Sequence, residues 1–163
     1  MTEKSTQRRQ IYLLLHNIRS AHNVGSIFRT ADALGTLGIF LSGYTPAPTD
    51  RFGRPVKEIA KTALGAELTI PWEYAKQPDK FIKRMKKLSA TIVGVEQDKR
   101  AVDYKTYVPS NITMIIVGNE VRGISKGLKQ KCDTVIEIPM YGKKESLNVS
   151  VALGIVLFRL FDR

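Results

Sequence analysis

Three short stretches carry the polar side chains that could do chemistry. In Ser146-Leu147-Asn148-Val149-Ser150, two hydroxyls and an amide sit where a basic loop turns into an apolar run. Ser and Asn satisfy the free N–H groups of a helix start. The same start could instead form the wall of a binding site. In "NVGSIFR", Asn23 and Arg29 are six residues apart. On a helix that is about 600° of rotation, so the two do not share a face. With Asn23 as the N-cap and only Arg29 helical, both could approach one site from different directions. Gly25 between them would let a ligand or another backbone come close. The plainer alternative is a cap and a surface charge. In "GNEVRGIS", 118–125, Gly118 permits positive φ and an open backbone. Such a turn can offer N–H groups to an anion or to an adenine edge. An ordinary strand–helix turn, with Ser125 as the cap, fits the same residues.

The elements that must hold these loops alternate. Residues 11–15, 37–43, 90–96, 112–118 and 133–139 read as strands, with a shorter one at 67–74 broken by Pro71. Helical spacing runs through 23–34, 56–64, 78–88, 125–131 and 148–161. Residues 44–55, rich in Pro, Gly and charge, form a long loop. Strands that are apolar throughout and alternate with helices imply an α/β fold with a mainly parallel sheet covered on both faces. Ligands of such sheets bind at the carboxyl ends of the strands. The loops after Leu15, Val117 and Ile138 are therefore the places to look. No G-x-G-x-x-G or G-x-x-x-x-G-K-[ST] occurs, so neither a dinucleotide nor a nucleoside triphosphate is suggested.

A length of 163 residues predicts one domain, and 43% apolar residues supply a core. One cysteine excludes an internal disulfide and fits a reducing cytosol. No signal peptide or membrane span is expected, because "IYLLLHNIRS" turns polar after five residues. The 26 basic residues outnumber 15 acidic ones, a net charge of +11. That excess favours a polyanionic partner, with nucleic acid first, over a merely solvated basic surface. Residues 1–10 read as a flexible basic N-terminus.

The three loops, in this order and spacing, resemble the SpoU (TrmH) family of the SPOUT class of RNA methyltransferases. "NVGSIFR" at 23–29 matches the first family motif, and "IIVGNEVRGIS" at 115–125 the second. "IPMYGKKESLNVSVALGI" at 138–155 matches the third, and the likeness spans roughly residues 11 to 163.

The resemblance implies a single SPOUT domain over 1–163, its C-terminal part tied in a deep trefoil knot, without a separate RNA-binding domain. It implies an S-adenosylmethionine pocket at Gly118, Ile138 and Leu147, with Asn119, Met140 and Asn148 nearby, and no metal. The implied reaction is methyl transfer to a ribose 2′-OH of tRNA or rRNA. Arg29 is the implied central catalytic residue, as base or as phosphate clamp, with Asn23, Glu120, Ser146 and Asn148 beside it. Glu120 is expected to orient Arg29 by ion pairing. A homodimer is implied, with Arg29 approaching the partner's knot; the nearly all-apolar 149–161 agrees with it, or equally packs simply into the core. RNA contacts are expected at Arg8, Arg9, Arg19, Arg51, Arg54, Lys143 and Lys144. Lys80, Lys83, Arg84 and Lys87 share a helix face that either tracks phosphates or is merely solvated. The alternative function is a non-catalytic RNA-binding or assembly protein on the same fold.

Overall fold

The computed structural model describes residues 9–161. Seven strands form one all-parallel sheet: β1 (Gln10–His16), β2 (Gly38–Ser42), β3 (Trp72–Ala75), β4 (Thr91–Val95), β5 (Val102–Asp103), β6 (Ile112–Val117) and β7 (Thr134–Glu137). Their spatial order is β3-β2-β1-β6-β4-β7-β5. The helices are α1 (Ala21–Leu34), α2 (Lys57–Ala63), α3 (Ala66–Thr69), α4 (Asp79–Lys87), α5 (Lys126–Lys129) and α6 (Val149–Phe161).

The continuous apolar runs divide by alternation between two buried layers. Ile11, Leu13 and Leu15 of β1, with Ile115 and Val117 of β6, face a core closed by α1, α2, α3 and α6. Leu14, Phe40, Met114 and Ile116 point the other way, against Phe81, Ile82 and Met85 of α4 and Leu128 of α5. Helices on both faces leave only the strand ends open to solvent, so the carboxyl edge is where a site can form. Among the described residues, no helix is long and apolar enough to cross a membrane.

Local structure departs from the sequence reading in four places. Residues 66–69 form one helical turn, closed by the Ile70 N–H on the Ala66 carbonyl at 3.0 Å, so only 72–75 is strand. Gly65, at φ +94°, turns the chain into it. A two-residue strand at 102–103, too short for any periodicity, pairs with β7 at the sheet edge. Ser20 rather than Asn23 caps α1: its side chain accepts the Asn23 N–H, which leaves Asn23 inside the helix. The expected loose N-terminus lies mostly outside the described residues, Arg8 included. Its last two residues are ordered elements, since Gln10 opens β1 and the Arg9 guanidinium donates to the Leu160 carbonyl at 3.1 Å. Arg9 thus closes the C-terminal end of α6.

Candidate active site

An open cleft of about 700 Å³, its solvent-filled mouth included, lies over the carboxyl ends of three adjacent strands, β6, β4 and β7. Val117 and Gly118 leave β6, Val95 and Glu96 leave β4, and Glu137 and Ile138 leave β7. The start of α6 supplies the fourth wall, through Ser146, Leu147, Val149 and Ala152. Met140 lines it as well. The valines, Leu147 and Ile138 make it largely apolar, while Glu120 and Ser146 bring polar atoms.

The turn after β6 is shaped by close approach. A Cβ on Gly118 would lie 2.5 Å from the Gly123 carbonyl, so the chain folds directly back over it. Positive φ belongs to Gly123, at +64°, and not to Gly118. A Cβ on Gly123 would stand 1.8 Å from Glu96 Oε2. Glu96 in turn accepts the Ile124 N–H at 2.7 Å, pinning the far end of the turn. Gln97 donates to the Ile138 carbonyl at 2.7 Å and so ties β4 to the loop after β7. Neither Glu96 nor Gln97 stands among the sequence candidates. The signal available was their place directly after a buried strand.

Asn119 does not line the cleft. Its Oδ1 accepts the Val121 and Arg122 N–H groups at 2.9 and 2.8 Å. Its Nδ2 donates to the Asn17 carbonyl and to Tyr44 Oη at 3.2 and 3.0 Å. It braces the turn from behind, 8% exposed.

Glu120, Asn23 and Asn148 form one relay across the three loops. The Glu120 carboxylate accepts the Arg19 and Ser20 N–H groups at 3.0 Å and Asn23 Nδ2 at 3.2 Å. Asn23 Oδ1 accepts Asn148 Nδ2 at 3.1 Å. Asn148 Oδ1 accepts the Ser150 and Val151 N–H groups at 2.9 and 3.3 Å, the capping pattern of a helix start. The amide orientations are forced, because a carboxylate only accepts and a backbone N–H only donates. Burial raises the Glu120 pKa, but the N–H groups of Arg19 and Ser20 and the Asn23 amide outweigh it. The carboxyl is held below its ordinary value.

Arg29 stands apart. It is exposed, six residues along α1 from Asn23, which is about 9 Å further and 240° around the axis. Among the described residues Glu120 forms no ion pair with it, since its acceptors are filled by Arg19, Ser20 and Asn23. The expected Glu120–Arg29 pair is therefore absent from the single chain. Gly25 serves packing between helices: a Cβ there would meet Thr62 Oγ1 at 2.0 Å and the Ile59 carbonyl at 2.4 Å, both on α2.

The basic candidates divide. Lys143, Lys144 and Arg19 are exposed near the cleft. Arg51 and Arg54 both lie over the ring of exposed Phe52, at 4.7 and 5.0 Å, and Asp50 holds Arg54 Nε at 2.8 Å. On α4 the basic stripe is broken. Arg84 lies over Phe40 at 4.8 Å and chelates Glu73 at 2.8 and 3.1 Å, so it serves the fold. Lys83 and Lys87 remain exposed.

These features define an α/β domain whose main cleft is built from the turns after three neighbouring parallel strands and the start of α6. The chain belongs to the SpoU rRNA Methylase family, which matches residues 10–158. It is 32% identical to the TrmH family protein YacO of Bacillus subtilis (strain 168), over 99% of this chain and 61% of that protein. It is 31% identical to the 23S rRNA (guanosine-2'-O-)-methyltransferase RlmB of Neisseria meningitidis serogroup B, over 90% of this chain and 56% of that protein. Its fold superposes on an AdoMet-bound rRNA methyltransferase from Sinorhizobium meliloti with a TM-score of 0.82 and 32% identity, covering 94% of this chain and 56% of that one. The chain thus spans about three fifths of the length of the relatives it matches.

Proposed function

We propose that this protein transfers a methyl group from S-adenosylmethionine to a ribose 2′-OH of tRNA or rRNA. The observation that carries the reading is the Glu120–Asn23–Asn148 relay, which gathers all three family motifs around one cleft. Membership of the family and the AdoMet-bound rRNA methyltransferase among the similar structures support it.

The cleft suits the cofactor. Val95, Val117 and Val149 would give an apolar seat for an adenine ring, and backbone groups of Gly118, Ile138 and Leu147 would hold its edge. Bound S-adenosylmethionine supplies an electrophilic methyl on a sulfonium cation, which needs no further activation. The nucleophile does need help, because a 2′-hydroxyl is a poor one at neutral pH. A guanidinium is a poor base but a good clamp for phosphate oxygens. In this reading Arg29 clamps an RNA phosphate and stabilises the alkoxide as the 2′-OH proton passes to that phosphate or to solvent water, the donor leaving as the neutral thioether. Ser146 reaches the cleft from the basic loop and hydrogen-bonds the ribose or the cofactor carboxylate.

Arg29 acts on the partner's cleft within a homodimer. Two features support this. Arg29 is turned away from its own relay. The α6 surface beside α1 also exposes Val151, Ile155 and Phe158 at i, i+4 and i+7, an unpaired apolar stripe. The carboxyl half carries the family's trefoil knot, and the protein works in the cytosol, where tRNA and rRNA are found. Arg19, Lys143 and Lys144 draw the RNA to the cleft, and Arg51, Phe52 and Arg54 extend the contact.

The test incubates purified protein with labelled S-adenosylmethionine and separate tRNA and rRNA pools lacking native modification. The RNA is digested and its nucleosides are read by mass spectrometry. A 2′-O-methylated nucleoside that disappears with Arg29→Ala is expected. A methylated base overturns the ribose assignment. Neither methyl transfer nor cofactor binding would leave the RNA-binding module as the better reading.

A further inference from the structure

A second concavity opens on the same carboxyl edge, across β1 from the cleft. It lies over β1, β2 and β3. His16 and Asn17 end β1, Gly43 and Tyr44 follow β2, and Tyr74 and Lys76 close β3.

Its floor is fixed by a directional hydrogen-bond chain. The Tyr44 N–H donates to Asn17 Oδ1 at 3.2 Å. Asn17 Nδ2 therefore faces His16 Nε2, at 3.1 Å, and that nitrogen must accept. His16 Nδ1 then carries the proton and donates to Ser42 Oγ at 2.8 Å. The imidazole is held neutral, and burial lowers its pKa in agreement. Asn17 sits at φ +60° and Gly43 at +67°. A Cβ on Gly43 would lie 1.8 Å from Asn17 Oδ1, so only glycine lets the floor close flat.

Two aromatic rings rise from this floor, tethered at their tips. Tyr74 Oη donates to the Gly43 carbonyl at 2.6 Å. Tyr44 Oη accepts from Asn119 Nδ2 at 3.0 Å. Their side chains are nonetheless 46% and 57% exposed. Lys76 is exposed beside them and forms no ion pair among the described residues. Asn119 connects the pocket with the cleft without lining either. Asn119 touches Asn17 and Tyr44 on one side and follows Gly118 of the cleft on the other.

A rigid ring with an open face, a lysine beside it and a methyl-transfer cleft next door make up the chemistry of unpaired-nucleotide recognition. Bases splayed from single-stranded RNA stack on aromatic side chains while a cation tracks the backbone. We infer that this pocket seats a base of the RNA substrate, at or next to the reacting nucleotide. Tyr44 and Tyr74 stack on the base and Lys76 meets the adjoining phosphate. The assignment rests on the methyl-transfer reading above.

The test measures KM for RNA, using whichever unmodified pool the wild-type protein methylates, together with cofactor affinity and melting temperature. Tyr44→Ala raises KM for RNA by ten-fold or more, the order expected for one lost base stack, and leaves cofactor affinity within about two-fold. Tyr44→Phe keeps the ring and stays within about three-fold of wild type in KM. Lys76→Ala lowers the slope of log affinity against log salt by about one. An unchanged KM in Tyr44→Ala, beside an active wild type, overturns the base pocket and leaves the methyl-transfer reading standing. A fall in cofactor affinity that matches the rise in KM overturns it too, because the residue would then serve the cleft. If the wild-type protein methylates neither pool, the methyl-transfer reading falls and the base pocket falls with it.

Discussion

Asn148 donates its side-chain amide to Asn23 Oδ1 at 3.1 Å while its own Oδ1 caps α6. One side chain thus both starts the last helix and fastens it to the first. The two tasks separate by substitution. Asn148→Ala loses both and is expected to cost about 1 kcal/mol in chemical denaturation, the usual loss of an N-cap. Asn148→Asp still caps but sets a carboxylate against Asn23 Oδ1. It should recover most of the stability yet bind S-adenosylmethionine more weakly than wild type, by calorimetry. Equal cofactor affinity in Asn148→Asp and wild type would remove the relay from the site.

The Glu120 carboxyl is held below the ordinary glutamate value of 4.5, with burial opposed and outweighed by the Arg19, Ser20 and Asn23 donors. A lowered folded-state pKa means that the unfolded chain takes the proton first as the solution is acidified. The stabilisation is fully present above pH 4.5 and is lost as the pH falls through the folded value. Melting temperatures of wild type and Glu120→Gln should differ at pH 6 and converge below about pH 4.5. A gap that does not change with pH would contradict the ionised relay.

Gly123 and Gly142 offer a matched pair of alanine substitutions. Gly123 needs φ +64° and has Glu96 against it, whereas nothing stands within 4 Å of a Cβ on Gly142. Gly123→Ala should destabilise by about 1–3 kcal/mol and weaken cofactor binding. Gly142→Ala, in open solvent, should fall within about 0.5 kcal/mol of wild type.

Arg29 in trans predicts complementation. A mixed dimer of Arg29→Ala with Glu120→Gln holds one cleft whose own Glu120 and whose partner's arginine are both intact. Randomly exchanged subunits should then recover roughly a quarter of wild-type activity, from two inactive parents. No recovery despite exchange would place Arg29 in its own protomer's site. Ile155→Glu, on the exposed stripe of α6, should shift sedimentation toward monomer.

The long apolar strands at 10–16, 91–95 and 112–117 were legible because a parallel sheet buried on both faces leaves a continuous signal. Gly118, Glu120, Ile138, Met140, Ser146 and Leu147, which the family resemblance implied as site residues, all line one cleft. What escaped was set by short range or by partners far along the chain. "SAHN" contains two good caps, and only the contacts of Asn23 with Glu120 and Asn148 show why Ser20 takes the role. Glu96 reads as one acid after a strand, and its work on Ile124, 28 positions later, appears only in three dimensions. The second pocket is drawn from three separate strand ends, none of which carries a pattern of its own.

The relay joins residues that are made at very different times. Asn23 meets Asn148 across 125 positions, and the Arg19 N–H meets Glu120 across 101. A chain leaving the ribosome exposes its first strand and helix long before the fourth wall exists. The cleft is therefore complete only when the start of α6 stands against the strand ends and α1. Once bound, the donor favours the docked state in proportion to its concentration over its dissociation constant. Amide exchange at the first turn of α6 should accordingly slow when S-adenosylmethionine is added, making this wall the reporter of a completed cleft.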